Sequence, residues 1–502
     1  MRLTIVLLWI ALAYPAFSQP GFNSTYHFDY PLNHFRNLIV HQDTVVAYGM
    51  ARTDTFPYRQ CLFVARFDSS GVPIDQALIC DALGGLLSMD INWAEIITTS
   101  DGGFALTAGS FNRYDGMFIK LKNNLSVEFA QEYEDSVNLV EFYNSIVELP
   151  DGYLLGGYVQ SPNYLAESFL RRVDKHGNSL WFKYYGKYVE TDLFSYYYQL
   201  NDTTVAYVGG YVNNPNSLAG RGPWIVLINP ENGKIIKEWR PASSAAGTVH
   251  FLFPLTDTTW LIYGKKTLQV SPVQHVRPYW AIIDTAFNLI DMRLFGPGPL
   301  ISNFIWDIEP TPDGNFIAAG ELYAANPNTE PADIYGWLYK VSPELDSLWS
   351  LQLIAPVPEP KVSGNYLGGV GVLSSGNMVA GGYSSYNGEI MCWLVKFSTD
   401  GCVDTLWCAV TPDWEPDEPE IQPRQLRLYP NPAQEAVFVE LPEGDYPVWV
   451  ELYTLDGRLC HQQAIDLSDA IDVSDLFSGY YICRIIGRNG HWYFSRVVIC
   501  HS

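Results

Sequence analysis

The sequence predicts an all-β protein, a seven-bladed β-propeller followed by a small C-terminal β-sandwich. The first observation behind this prediction is a unit that recurs seven times between Asn37 and Cys408. Such a unit is too small to bury its own apolar face, and a period of about 50 residues is typical of solenoids, arrays and propellers. The second observation is a different pattern over the last 78 residues, where alternating apolar strands are separated by Asp-Gly and Ser-Gly turns.

Each unit contains a short turn, a strand that ends in glycine, a second apolar strand, and a further turn that leads to an aromatic residue. The Asp-Gly and Asn-Asp pairs in the first turn suit tight hairpins because they tolerate positive φ. The clearest copy runs from Ile146 to Trp181. The strand-ending glycines, spaced 48 to 62 residues apart, are Gly49, Gly109, Gly157, Gly209, Gly264, Gly320 and Gly382.

With the strand that precedes the first turn, each unit supplies four strands, which is the content of a propeller blade. Radial closure protects the sheet edges that a linear stack would leave open. Shorter repeats would favour a β-solenoid, and longer ones a string of sandwiches. Units 2, 4 and 5 depart from the pattern in their turns, so the number and phase of the blades remain open. We expect the closing tryptophans, such as Trp181 and Trp349, to fill the space between blades.

The N-terminus has the pattern of a secretion signal. Met1-Arg2 is a short basic start, Leu3 to Ala13 is an apolar run, and Ala16-Phe17-Ser18 offers small residues for cleavage before Gln19. The apolar run is too short to span a bilayer. We therefore expect residues 1–18 to be a signal peptide and residues 19–410 to form the propeller.

The chain carries 54 acidic and 30 basic side chains, for a net charge of -24. This balance argues against nucleic acid and anionic membranes as partners, because both would repel the chain. General solubility of an extracellular protein explains the charge.

Eight cysteines in an exported chain make disulfides plausible. The turn at Asp68 places Cys61 almost opposite Cys80, and a later turn brings Cys392 near Cys408. These two pairs are the expected disulfides, with Cys402 as a competitor for the second. No cysteine forms a CxxC pair or lies at ligand spacing from a histidine, so we expect no metal site.

Residues 411–424 are rich in proline and acid and are predicted to form an extended linker. Residues 425–502 then contain an opening Tyr-Pro-Asn-Pro, a central Asp-Gly, a Gly-Tyr-Tyr strand and a final Arg-Val-Val, in that order. The motif residues are Tyr429, Pro430, Asn431, Pro432, Gly457 and Gly479. On these motifs the segment closely resembles the type A C-terminal sorting domain of the type IX secretion system. The resemblance implies export across the outer membrane by that machinery, to the medium or the cell surface.

The repeats themselves are similar to those of large secreted propeller-like proteins of Bacteroidota. The segments that carry this resemblance end at Gly109, Gly320 and Trp181. It covers about residues 30–410 and implies an architecture but no agreed activity.

Catalytic motifs are absent from the sequence: it has no Gly-x-Ser-x-Gly elbow, no His-Glu-x-x-His and no Walker loop. We therefore assign no catalytic residue and no cofactor. Asp68, Asp174 and Asp400 lack the alternating oxygen ligands of a calcium loop and are expected to cap turns.

Consecutive tyrosines are the best hint of a ligand. Tyr196, Tyr197 and Tyr198 follow one another in a strand, so alternate rings must point away from the core. Exposed rings can stack on sugars or anchor a protein partner. The sequence thus favours a non-catalytic binding or scaffolding module for a glycan or surface protein. The alternatives are a secreted glycan-active enzyme with acids gathered at the propeller axis, and a structural component of the cell envelope.

Overall fold

The computed structural model describes residues 21–30, 32–53, 59–80, 89–90, 95–110, 115–133, 140–160, 166–189, 196–212, 221–241, 247–270, 273–296, 303–324, 333–356, 362–386, 389–403, 408, 427–441, 447–454, 459–465, 470–487 and 492–501. Within these ranges the chain forms strands and turns and no helix. The expected signal peptide and the expected linker lie outside the described residues.

The repeat units fold into antiparallel sheets in which strands pair in chain order. Unit 1 consists of β2 (Leu32–His41), β3 (Thr44–Arg52), β4 (Gln60–Phe67) and β5 (Pro73–Ile79). Unit 2 consists of β6 (Met89–Asp90), β7 (Ile96–Thr98), β8 (Phe104–Ser110), β9 (Gly116–Leu121) and β10 (Val127–Tyr133). Unit 3 consists of β11 (Val140–Leu149), β12 (Gly152–Gln160), β13 (Ala166–Asp174) and β14 (Ser179–Val189). Unit 4 consists of β15 (Tyr196–Asn201), β16 (Thr204–Val212), β17 (Arg221–Ile228) and β18 (Ile235–Trp239).

Units 5 and 6 repeat the same order. Unit 5 consists of β19 (Thr248–Pro254), β20 (Thr259–Val270), β21 (Val273–Asp284) and β22 (Leu289–Leu294). Unit 6 consists of β23 (Asn303–Pro310), β24 (Phe316–Ala324), β25 (Asp333–Val341) and β26 (Ser347–Leu353).

Unit 7 is completed by the other end of the chain. It contributes β27 (Val362–Val372), β28 (Met378–Tyr386) and β29 (Glu389–Phe397), and the N-terminal β1 (Phe22–Tyr26) is its fourth strand. β1 pairs with β29, and the Trp393 indole donates a hydrogen bond to Asn23 Oδ1 at 2.6 Å. Two distant segments of the chain are therefore joined in one sheet.

The first strands of units 1 to 5 lie side by side, as do those of units 6, 7 and 1, and units 5 and 6 are joined through β21 and β23. β2 contacts β7, β7 contacts β11, β11 contacts β15, β15 contacts β19, and β23 contacts both β21 and β27. The units form a closed ring because β27 contacts β2.

Each hydrophobic cluster of this region joins two neighbouring units. Trp224 of unit 4 packs with Leu154 of unit 3, and Trp393 of unit 7 packs with Leu338 of unit 6. The outer tryptophans behave as expected, since the indoles of Trp181 and Trp349 each donate, at 3.0 Å, to a carbonyl in a turn of the next unit. The apolar face of each sheet is thus buried by its neighbours.

The repeated glycines lie inside the second strand of their units, not at its end as the sequence pattern predicted, and a close backbone approach explains them. In five units a Cβ at the glycine would overlap the carbonyl oxygen of a residue in the first strand. These pairs are Gly49 with His34, Gly157 with Phe142, Gly264 with Thr248, Gly320 with Phe304, and Gly382 with Tyr366. A glycine is required there because any side chain would push the first strand away.

The C-terminal segment forms two further sheets. One contains β30 (Arg427–Tyr429), β31 (Ala436–Glu440) and β34 (Ile471–Asp472). The other contains β32 (Pro447–Thr454), β33 (Leu459–Ala464), β35 (Gly479–Gly487) and β36 (Trp492–Ile499). Val437 and Ile471 of the first sheet pack with Val450 and Ile485 of the second in one apolar core.

Candidate ligand-binding cavity

A cavity of about 590 Å³ lies where the first strands of the units converge. Residues of all seven units line it, and most of them lie on first strands. They are Arg36, Asn37, Tyr48, Glu95, Asn144, Tyr196, Tyr198, His250, Phe251, Tyr263, Ile305, Trp306, Asp307, Ile308, Glu309, Pro310, Glu321, Tyr323, Tyr366, Gly368 and Tyr383. We call this space the central cavity.

β-Bulges direct side chains into the central cavity. In five units the first strand has a bulge opposite the repeated glycine of the second strand. One extra residue in the first strand breaks the pairing register there. The bulged residues are Arg36, Asn144, His250, Trp306 and Gly368, and all of them line the cavity. The repeated glycine therefore permits the bulge, and the bulge presents a residue that differs from unit to unit.

Two carboxyl groups at the cavity wall connect neighbouring units. Glu95 Oε2 accepts a hydrogen bond from the backbone N–H of Ile146 at 2.7 Å. Asp307 Oδ2 accepts one from Val370 at 2.9 Å, and its Oδ1 accepts one from Ile308 at 2.9 Å. Burial raises the pKa of Glu95 to about 8 and the pKa of Asp307 to about 6. These two acids hold the wall together as well as facing the cavity.

Glu309 and Glu321 are the other two acids of the cavity. Burial raises the pKa of Glu309 to about 8, and the nearby charge of Asp307 adds to the rise. Burial raises the pKa of Glu321 to about 7, although Tyr323, Lys265, Arg36 and Trp306 each offset part of that rise.

The Glu321 side chain is buried in the wall of the central cavity. It is 3% exposed, and its Oε1 accepts a hydrogen bond from the Tyr323 hydroxyl at 3.3 Å. Its Oε2 has no hydrogen-bond partner in the part of the chain that the structure describes.

Aromatic rings surround this end of the cavity. The Tyr366 and Tyr383 rings stack with their centroids 4.5 Å apart and an interplanar angle of 23°. The rings of Trp306 and Phe304 are almost parallel, with centroids 5.7 Å apart, and Lys265 Nζ lies 4.8 Å from the Trp306 centroid. Aromatic faces beside polar groups are the usual composition of a site for small polar ligands.

The structure separates the three consecutive tyrosines. Tyr196 and Tyr198 line the central cavity, and the Tyr198 hydroxyl donates to the backbone oxygen of His250 at 2.9 Å. Tyr197 points the other way, is 4% exposed and donates to the Phe169 oxygen at 2.9 Å. Two of the three predicted ligand residues therefore face the cavity, and the third belongs to the core between units 3 and 4.

One of the two expected cysteine pairings is present and the other is wrong. A disulfide joins Cys61 to Cys80. Cys408 is bonded to Cys402, six residues away, and Cys392 is a buried thiol. The reason is that Cys392 lies inside the sheet, paired with Tyr26 of β1 on one side and Tyr383 of β28 on the other, so it does not face Cys408.

Asp68 and Asp174 cap turns. Asp68 Oδ1 accepts the N–H groups of Ser70 and Val72, and Asp174 Oδ1 accepts those of His176 and Asn178. In the unit that contains Asp400, Ser398 caps the turn instead, with its hydroxyl accepting the N–H of Cys402 at 3.1 Å. No three His, Cys, Asp or Glu side chains within the described ranges are arranged to hold a metal ion.

The sorting motif is anchored by one side chain. Asn431 donates to the Arg496 oxygen and accepts the N–H of Val498, each at 2.9 Å, which ties the segment to β36. The Tyr429 ring stacks on Phe438, and the bonds before Pro430 and Pro432 are both cis. Gly479 begins β35, whereas Gly457 lies outside the described residues.

Sequence reasoning missed every acid of the central cavity. No acid recurs at the positions of Glu95, Asp307, Glu309 and Glu321 from unit to unit, so residue type gave no pattern. The usable signal was spacing, because the residue 13 or 14 positions before a repeated glycine lines the cavity. Arg36 has this spacing to Gly49, Glu95 to Gly109 and Trp306 to Gly320.

Comparison with known families identifies the C-terminal segment. A family described as the secretion system C-terminal sorting domain matches residues 427–500. The chain is therefore a protein sorted by the type IX secretion system, secreted or held at the outer cell surface. Within the described residues, no helix is long and apolar enough to cross a membrane. No curated protein matches the chain.

Solved structures resemble the chain only distantly. The extracellular domain of a hybrid two-component system protein from B. thetaiotaomicron is 11% identical and has a TM-score of 0.38; the alignment covers 93% of this chain but only 56% of that one. The β-propeller domain of the Trilobed protease from Pyrococcus furiosus is 10% identical, with a TM-score of 0.41, over 76% of this chain and 94% of that one. An α-L-arabinofuranosidase of Fusarium graminearum, solved with arabinobiose, is 10% identical with a TM-score of 0.39, over 61% of this chain and 92% of that one. At this distance the likeness adds nothing about function.

Proposed function

We propose that this chain is an exported seven-bladed β-propeller that binds a glycan in its central cavity without cleaving it. The observation that carries the proposal is the cavity itself, where aromatic rings and hydrogen-bonding groups contributed by the seven units face one shared space. Sugars present both apolar ring faces and hydroxyl groups, so they match a wall of rings interrupted by acceptors and donors.

The proposed blade count rests on the ring of sheets. Each unit supplies at least three strands of a sheet, β1 completes the last one, and each unit contacts the next in a closed circle. The proposed domains are a signal peptide at 1–18, the propeller at 19–410, a linker at 411–424 and a sorting domain at 425–502. Two sheets that share one core support a β-sandwich for the sorting domain.

The placement of the acids supports binding over hydrolysis. A glycosidase needs two carboxyl groups that face the scissile bond from opposite sides. Asp307 already uses both oxygens for backbone N–H groups, and Glu95 accepts the N–H of Ile146. Such carboxyls serve better as fixed parts of a wall than as groups that must exchange a proton.

Hydrolysis is the second candidate, because of Glu309. Glu309 lines the cavity, and burial together with the nearby charge of Asp307 raises its pKa, which is the direction that a general acid requires. If the chain is an enzyme, Glu309→Gln should abolish turnover while leaving binding in place.

A glycan array probed with the mature chain tests the proposal. We expect selective binding to a subset of glycans, and no release of reducing sugar from those glycans on prolonged incubation. Absence of binding across polysaccharides, glycoprotein glycans and bacterial surface glycans would contradict the proposed function. Turnover that is lost in Glu309→Gln would replace it with the hydrolytic alternative.

A further inference from the structure

We propose that the central cavity receives the end of a glycan chain, with Glu321 accepting a hydrogen bond from a hydroxyl of the terminal sugar. This inference rests on the proposed function and specifies which part of a glycan is bound.

The walls of the cavity determine that a chain end must enter. The lining residues come from every unit, and each unit contacts the next around the ring; between units 5 and 6 the Tyr263 hydroxyl bonds with the backbone of Ile305. The described walls therefore leave no lateral opening through which the middle of a polymer could enter. A volume of about 590 Å³ accommodates a ligand of small-molecule size, which for a glycan means a few rings.

Glu321 is the group in the cavity that can accept a further donor from a ligand, beside the Tyr323 hydroxyl and the Trp306 indole. Its carboxyl is 3% exposed, Oε1 has the Tyr323 hydroxyl as its donor, and Oε2 has no partner among the described residues. A buried acceptor that has left water without gaining a donor is costly, so a ligand that supplies the donor is favoured.

A neutral hydroxyl suits this position better than an ammonium group. The positive charges of Lys265 and Arg36 are close enough to lower the pKa of Glu321, and they would repel a second cation. A hydroxyl donates to Glu321 without adding charge, and the adjacent oxygens of a sugar can accept from the neighbouring basic groups.

The rings at the same end provide a surface for the sugar. Tyr323, Tyr366, Tyr383 and Trp306 all line the cavity beside Glu321. Sugar rings carry C–H groups on their faces and stack on such aromatic surfaces, while the hydroxyls at the ring edge remain free to bond with Glu321.

The inference is tested by measuring whether binding depends on the number of glycan chain ends or on the total mass of glycan. Laminarin, xylan, mannan, dextran and a bacterial capsular polysaccharide are each offered to the full-length mature chain, intact and after partial acid hydrolysis, at equal mass. We expect the hydrolysed form of a bound polysaccharide to compete about tenfold better, because hydrolysis multiplies the chain ends. Equal potency at equal mass would overturn chain-end binding while leaving the proposed function in place. Failure to bind any probe in either form would overturn the proposed function.

Substitution of Glu321 tests the contact itself. Glu321→Leu should weaken binding about tenfold or more, and Glu321→Gln, which keeps one carbonyl acceptor, should weaken it less. Glu231→Leu, at an exposed turn, is the matched control and should bind like the wild type. If Glu321→Leu does not fold, Glu321→Met, which keeps the chain length but has no carboxyl acceptor, decides the question, since binding equal to the wild type would remove Glu321 from the site.

Discussion

Asp307 lies in the wall of the central cavity and accepts the backbone N–H of Val370, in the next unit, at 2.9 Å. Glu95 makes the same kind of contact with Ile146, and the Ser145 hydroxyl accepts the N–H of Tyr197 at 3.0 Å. Side chains that face the axis thus connect one first strand to the next. The side chains at the centre of the molecule therefore hold neighbouring units together and also line the candidate binding site.

Removing the Asp307 carboxyl should weaken that closure. Asp307→Ala leaves the N–H groups of Val370 and Ile308 without their acceptor, and we expect a loss of about 2 kcal/mol in the free energy of unfolding. Urea denaturation of the mature chain measures the loss. Asp257→Ala, in an exposed turn, should be nearly neutral, and equal effects of the two changes would contradict the closing role.

Stability should fall as the pH rises because of the buried acids. The pKa of Glu95 is raised by burial from 4.5 to about 8 in the folded chain. The folded state therefore holds a proton that the unfolded state has lost, so this contribution is complete below about pH 4.5 and disappears as the pH rises towards about 8.

Glu95→Gln keeps an acceptor for Ile146 but has no proton to lose. We expect the drop in melting temperature between pH 6 and pH 9 to be smaller in this variant than in the wild type. Glu148→Gln, whose carboxylate caps Ser100 in an exposed turn, serves as the control. Parallel pH profiles for Glu95→Gln and the wild type would show that Glu95 is ionised in the folded protein.

The repeated glycine inside the second strand should not tolerate even a methyl group. In Gly320→Ala the new Cβ would overlap the Phe304 carbonyl oxygen, and we expect a loss of about 3 kcal/mol as β23 shifts or strains. Gly314→Ala, in the turn of the same unit, has no atom within 4 Å of its new Cβ and only the strain of its φ of 82°. It should cost about 1 kcal/mol, and similar losses for both would contradict the close approach as the reason for the glycine.

Deleting the sorting domain should change the destination of the protein without unfolding the propeller. A chain that ends at residue 410 should accumulate in the periplasm, because residues 427–500, which match the sorting family, are missing. Immunoblots of periplasm, cell surface and medium measure the distribution. Equal export of the full-length and truncated chains would contradict sorting by this segment.

The sequence predicted the features that depend on local patterns. The strands and turns of the units follow from alternation and turn residues, and the sorting segment is recognisable from its ordered motifs. The prediction that every unit supplies its own four strands was wrong for unit 7, whose fourth strand is the N-terminal β1. The Cys61–Cys80 pair could be proposed because both residues flank one tight turn. The choice between Cys392 and Cys402 as the partner of Cys408 depended on which side chain faces it, which the spacing does not reveal.

The central cavity could not be predicted because it depends on a tertiary arrangement of residues that do not repeat. Asp307 and Glu95 meet at the axis only because the units close into a ring. The alternation of side chains along a strand correctly predicted that Tyr197 points to the opposite side from Tyr196 and Tyr198. It did not predict that Tyr196 and Tyr198 face the central cavity. The bulge opposite the repeated glycine is a change in the pairing register of the first strand. In the sequence only the glycine indicates where this change occurs.

Calorimetric titration of the glycan selected by the array into tyrosine variants is the most direct test of the central cavity as the binding site. Tyr196→Ala combined with Tyr198→Phe removes one ring from the cavity and one hydroxyl beside it, and should weaken binding about tenfold or more. Tyr197→Phe removes only the buried hydrogen bond to Phe169, so it should lower stability by about 1 kcal/mol and leave binding unchanged. Binding that survives the loss of Tyr196 and the Tyr198 hydroxyl, in a variant that is folded by melting temperature, would place the glycan site elsewhere on the protein.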